Sequence, residues 1–217
     1  MNNREDRLEQ AHLACLQNDY ETAYRLYDEL LKDFPNDPDV LLSYGRAKYW
    51  EFVDLEQAAS LFLQAVEAGP YSIEALLWLG DVSGMGYGPG YAKAPDFYRR
   101  ALEIEPENVD AYTGLAMMYK VPSSTITLDE AIGAYRKVVQ LDPQNADAYQ
   151  NLGFILLEAG QPDEALEAFL KARYWLKLNG QTNTAASILK VIEQIRNHEQ
   201  VKRRAYVNNS QRYRRLF

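Results

Sequence analysis

Along most of the chain, apolar residues recur every three or four positions, and short polar stretches break them into helix-length runs. That period lays one apolar stripe along a helix. Five of these runs share an internal spacing. Ala23, Ala58, Ala94, Ala131 and Ala165 are each followed four residues on by an aromatic: Tyr27, Phe62, Tyr98, Tyr135 or Phe169. Three further on stands Leu30, Ala65, Ala101, Val138 or Ala172, so alanine, aromatic and third residue share one helix face. Twelve residues after four of the alanines comes Pro35, Pro70, Pro106 or Pro143. Proline cannot continue a helix and disfavours helical geometry in the residue before it, so these four helices are expected to stop there. The fifth has Lys177 in that place, and its helix is expected to run on.

A second set of helices precedes the first, each with a small residue near its middle: Ala11, Gly45, Gly80, Ala116 and Gly153. A large residue usually stands just before it, as in Tyr44, Leu79, Leu115 and Leu152, with Gln10 the departure. The stretch 146–177 is the clearest copy of the resulting unit. A small residue lets paired helices touch closely, and neither helix can bury its stripe alone, so neighbouring copies must stack. From each proline to the next small residue is always ten positions, whereas from small residue to following alanine the gap runs 12, 13, 14, 15 and 12. The insertions therefore fall in the turn within each pair, at Glu51 to Asp54, Gly84 to Tyr91 and Val121 to Thr127. Stacking sets such turns along one edge, a candidate recognition surface. The glycine-rich stretch 84–90 is followed by no Gly-Lys-Ser/Thr and is not a phosphate loop.

With its small residue after a large one in the first helix, its alanine and aromatic in the second and its closing proline, the chain over residues 4–180 resembles the tetratricopeptide repeat (TPR) family. The third copy, with Leu79-Gly80 and Lys93-Ala94-Pro95-Asp96-Phe97-Tyr98-Arg99-Arg100-Ala101, is also similar to the Sel1-like subtype. The resemblance implies an all-α, right-handed α-solenoid of about five helix pairs, at roughly 4–37, 38–72, 73–108, 109–145 and 146–180. It further implies a non-catalytic scaffold that holds a peptide or helical segment of a partner protein on a concave wall built by the first helices. On that wall the resemblance puts Leu42, Arg46, Tyr49 and Trp50, then Leu77, Asp81 and Met85, then Thr113, Met117 and Lys120, and last Gln150, Phe154 and Leu157. Tyr49, Trp50 and Phe154 have an alternative place in the packing between repeats, because aromatics serve cores as well as interfaces. One subfamily clamps a terminal carboxylate with Lys, Asn and Arg; the matching positions here hold Leu8, His12, Ser43, Glu74 and Trp78, which disfavours that ligand.

Asp39, Glu74, Asp110 and Asp147 recur once per copy in the first turn of the first helix and are expected to form an acidic row. The helix dipole favours acids there with or without a ligand.

After residue 181, Ala185, Ile188, Leu189, Ile192 and Ile195 share one face and predict a capping helix over 181–201. Residues 202–217 then hold six Lys or Arg and no acid. With 23 basic and 31 acidic residues in the whole chain, 17 against 31 remain in residues 1–201, a charge of −14. The basic tail is expected to be attracted to the acidic body, in cis or by self-association. The overall charge of −8 weighs against nucleic acid as the main partner, although the tail keeps a nucleic-acid-associated repeat protein as the alternative. A partner of basic and apolar character fits better.

Cys15 is the only cysteine, and apolar runs are too short for a membrane span or signal core, so a cytoplasmic protein is expected. Chemistry is sparse. The two histidines, His12 and His198, stand at opposite ends of the sequence. His12 and Cys15 are three apart on one helix, but a zinc site needs further ligands and none has the spacing. No catalytic residue, metal or cofactor is expected.

Overall fold

The computed structural model describes residues 4–51, 54–69, 72–122 and 124–214, with side chains through His198. It is all-α, with no strand among the described residues. The helices are α1 (Arg4–Leu16), α2 (Tyr20–Asp33), α3 (Pro38–Glu51), α4 (Leu55–Ala68), α5 (Ile73–Gly84) and α6 (Ala94–Ile104). There follow α7 (Val109–Met117), α8 (Leu128–Leu141), α9 (Ala146–Glu158), α10 (Pro162–Leu178) and α11 (Thr182–Arg214). The chain divides between Thr127 and Leu128 into two compact units, so α1 to α7 belong to the first and α8 to α11 to the second.

Local chemistry sets the helix limits. Asp19, Asp54, Ser72, Asn108 and Asn145 each cap a helix start, their side-chain oxygens accepting from the backbone N–H of Thr22, Gln57, Ala75, Ala111 and Ala148. At the far ends, α2, α6 and α8 stop two residues short of Pro35, Pro106 and Pro143. Pro70 lies outside the described residues. Helix α10, with Lys177 in the proline position, runs on for 17 residues and ends where Gly180 adopts a left-handed φ of 75°.

In the first unit the small residues of the first helices meet the aromatics of the second. A Cβ placed on Gly45 would stand 2.7 Å from Phe62 Cε1, and one on Gly80 would stand 2.7 Å from Tyr98. Both rings are buried, together with Ala23, Tyr27, Leu30, Leu41, Ala58, Ala65, Leu76 and Leu79. Each large side chain so buried contributes roughly 1.5–3 kcal/mol, which makes the helix contacts the main source of stability. The long turn after α5 folds back on α4. Gly88, at φ 58°, approaches Ala59 so closely that a Cβ would lie 2.7 Å from it, and its N–H donates to Glu56 at 3.3 Å.

The second unit repeats the device. Gly153 in α9 abuts Phe169 in α10 at the same 2.7 Å, and Ala165, Ala172 and Leu176 continue the buried stripe. Helix α11 packs on α10 with Ala185, Ile188, Ile192 and Ile195 buried. It continues as one helix to Arg214, through most of the basic segment whose side chains lie outside the described residues.

Candidate functional site

Within the first unit, the first helices of successive pairs, α1, α3, α5 and α7, hold two cavities and a ridge. The first cavity, about 400 Å³, lies between α1 and α3 and is lined by His12, Cys15, Leu16, Tyr20, Tyr27, Ser43, Arg46, Ala47 and Trp50. The second, about 410 Å³, lies between α5 and α7 and is lined by Glu74, Leu77, Trp78, Asp81, Tyr98, Asp110, Thr113, Gly114 and Met117. Between them Arg46 pairs with Glu74 at 2.9 Å, Trp78 Nε1 donates to the same carboxylate at 3.4 Å, and Trp50 sits edge-on to Trp78 with ring centroids 5.8 Å apart. Tyr49 packs on Trp78 at 4.9 Å.

The register of the repeat explains this relief. Two positions before the small residues Gly45, Gly80 and Ala116 stand Ser43, Trp78 and Gly114, each next to the aromatic of the preceding pair. Trp78 stacks on Phe62, with centroids 5.9 Å apart and planes 14° from parallel, and covers it. Beside the buried Tyr27, on which Tyr44 stacks at 5.0 Å, stands only the small Ser43, and beside the buried Tyr98 stands Gly114 with no side chain. Each of these two tyrosines lines a cavity. Gly114 also lets Tyr98 approach α7 more closely than any side chain would permit, since a Cβ there would lie 2.3 Å from the ring.

The cavities differ in charge. In the second, the Tyr98 hydroxyl donates to Asp81 Oδ1 at 2.6 Å. Burial, and then the charge of Asp110, push the Asp81 carboxyl above the usual carboxylate range, against the pull of that hydrogen bond. In the first cavity burial, helped by Arg46, pushes the His12 imidazole down, and burial pushes the Cys15 thiol up. A neutral imidazole beside a protonated thiol is the reverse of an activated nucleophile pair. Among the described residues no three His, Cys, Asp or Glu side chains converge closely enough to hold a metal ion. None of the described helices is long and apolar enough to cross a membrane.

The tetratricopeptide-repeat family matches residues 8–73 and, separately, residues 134–167. Among solved structures the chain is similar to MamA, at 26% identity and a TM-score of 0.71, over 83% of this chain and 95% of that one. The chain carries tetratricopeptide repeats. Its fold is likewise similar to MamA from Desulfovibrio magneticus RS-1, at 24% identity, TM-score 0.67, over 79% of this chain and 96% of that one. It is similar too to YrrB, described as a TPR protein with an unusual peptide-binding site, at 22% identity and TM-score 0.69, over 87% of this chain and 93% of that one. No curated protein sequence matches the chain.

The structure brings many of the expected wall residues of repeats one to four together and spends two of the acids. Arg46 and Trp50 line the first cavity, and Glu74, Leu77, Asp81, Asp110, Thr113 and Met117 the second. Leu42 and Tyr49 are half-buried against the core. Asp39 is held by Arg4 at 2.8 Å, while Arg4 also grips Asp37 at 2.5 Å, and Glu74 is held by Arg46, so the acidic row in this unit is partly neutralised. Met85 caps α5 and is exposed; Lys120 stands outside the helix, in a 3-10 turn over Met118–Lys120. In the second unit Asp147 is exposed in the first turn of α9, Gln150 is half-buried, and Phe154 is 37% exposed, edge-on to Phe169 at 5.0 Å. Leu157 lines a separate apolar cavity of about 240 Å³ with Pro162, Val191, Ile195 and His198.

Sequence reasoning missed Tyr98 and Gly114 as wall residues and named Trp78 only as a position where a carboxylate clamp fails. For Trp78 and Gly114 the signal was present: the residue two before the small position varies from serine to tryptophan to glycine while the surrounding pattern holds.

Proposed function

We propose that this chain is a non-catalytic scaffold whose first helices hold a peptide or helical segment of a partner protein with basic and apolar character. The repeat family and the likeness to MamA support a protein-interaction scaffold. The observation that carries the finer reading is Trp50, 59% exposed on the wall of the cavity between α1 and α3. A tryptophan left that open contributes little to the core and much to an interface, where truncating an aromatic anchor typically costs about 2 kcal/mol or more. Three carboxylates in the second cavity favour a cationic segment over nucleic acid. The experiment is affinity capture from native extract with wild type, Trp50→Ala and Asp110→Lys. Both positions are exposed, so both variants are expected to melt close to wild type while losing the same bound protein. Capture of the same proteins by all three would refute the groove as the binding surface.

A further inference from the structure

The two cavities are alike in volume, about 400 and 410 Å³, and unlike in chemistry, which constrains what could fill both at once. The first is walled by Leu16, Tyr20, Tyr27 and Trp50; Leu16 is 80% exposed, an apolar side chain held out at the rim. Its one charged wall, Arg46, is already paired with Glu74, so what remains open is an uncharged lining, mostly aromatic and apolar, to which His12, Cys15 and Ser43 add polar groups. The second has Asp81 at its floor against Tyr98 and Asp110 exposed on its wall, with Leu77 and Met117 beside them. Among the described residues no three His, Cys, Asp or Glu side chains form a metal site. An organic cation, carrying several donors on an apolar stem, matches both the acidic and apolar lining and the volume.

The geometry points to a two-anchor code: one docked peptide segment places a large apolar side chain between α1 and α3 and a lysine or arginine side chain between α5 and α7, with the Trp50–Trp78 ridge separating them. This rests on the groove reading above and adds the identity and spacing of the anchors. The cavities are two helix steps apart on the face formed by α1, α3, α5 and α7. Packed helices stand about 8–10 Å apart, so the anchors are separated by roughly 16–20 Å. Extended chain covers about 3.3–3.6 Å per residue, which sets the anchors about five or six residues apart. Charge complementarity selects the cation: Asp110 is an exposed acid on the cavity wall, and the cost of burying a charge on Asp81 is one that a bound cation offsets. Lysine and arginine share that chemistry, and the relative recovery of the two distinguishes them.

The test uses a phage-displayed library of random twelve-residue peptides selected on the full-length protein and on Asp81→Asn, Asp110→Asn and Trp50→Ala. Wild type is expected to enrich peptides with Phe, Trp, Leu or Met about five or six positions from Lys or Arg. Asp110→Asn, exposed and outside the core, is expected to reduce the preference for the basic residue about tenfold and leave the apolar preference intact. Asp81→Asn, checked for folding by thermal melt, is expected to do the same. Trp50→Ala is expected to reduce the apolar preference alone. Selected peptides with no basic position, or with a basic position indifferent to both aspartates, would overturn the two-anchor code while leaving the groove in place. Failure to enrich any peptide, or enrichment unaffected by all three variants, would overturn the groove reading and the code with it.

Discussion

Phe62 and Tyr98 occupy the same position in successive repeats, and each meets a glycine of its own first helix at 2.7 Å. What differs is the neighbour on the next first helix. Trp78 stacks on Phe62 and makes a ridge, whereas Gly114 lets the backbone of α7 close on the buried Tyr98 and leaves beside it a cavity lined by Asp81. The scaffold contact and the surface above it are thus set by different residues. The relief of the wall is set where the repeat pattern is silent, two positions before the small residue.

The largest expected effect comes from removing the cover. Trp78→Ala takes away the ring stacked on Phe62 and the contacts to Tyr49 and Trp50. Burying less than a full core tryptophan, it is expected to destabilise by somewhat less than the about 3–5 kcal/mol typical of such truncations, read by urea unfolding. A midpoint equal to wild type would mean that the ridge is ornament and the comparison between the two sites is empty. Next comes the shared contact. Gly80→Leu drives a side chain into the Tyr98 ring and is expected to cost about 1–3 kcal/mol by overpacking. If it unfolds no earlier than wild type, helices α5 and α6 do not meet through that glycine.

The smallest effect contrasts two acids by pH. Asp81, raised by burial, holds its proton more tightly in the folded state than in the unfolded chain. Its protonation therefore favours the fold at acid pH, and that advantage is lost as pH rises through its raised pKa. Asp37 is lowered, first by its hydrogen bond from Arg4, so its contribution is present above the ordinary carboxylate range and lost as pH falls. Melting midpoints of Asp81→Asn and Asp37→Asn, taken against wild type across the acid range, are expected to diverge in opposite senses. Parallel curves would show that the two carboxylates do not sit in different environments.

Much of the fold was legible from spacing. The alanine, aromatic and proline positions placed ten helices, and Lys177 signalled the one that runs on. Turn lengths also showed where copies differ, although the Gly88 turn lies against α4 instead of standing free. The wall was half legible. The resemblance named Arg46, Trp50 and Asp81, and the once-per-copy spacing named Glu74 and Asp110, yet the acidic row that spacing suggested is partly consumed by Arg4 and Arg46, partners that lie 28 or more residues away in the sequence.

By itself the sequence determined the repeat, because helical period, capping and proline stops act over a turn or two of chain and need no distant partner. Tertiary structure alone decided which faces became cavities. Whether a ridge or a cavity stands beside Tyr27, Phe62 or Tyr98 depends on a side chain from the next first helix, and whether Asp39 or Glu74 is free depends on an arginine from the one before. Those contacts are set by stacking, which brings together residues that no local periodicity relates.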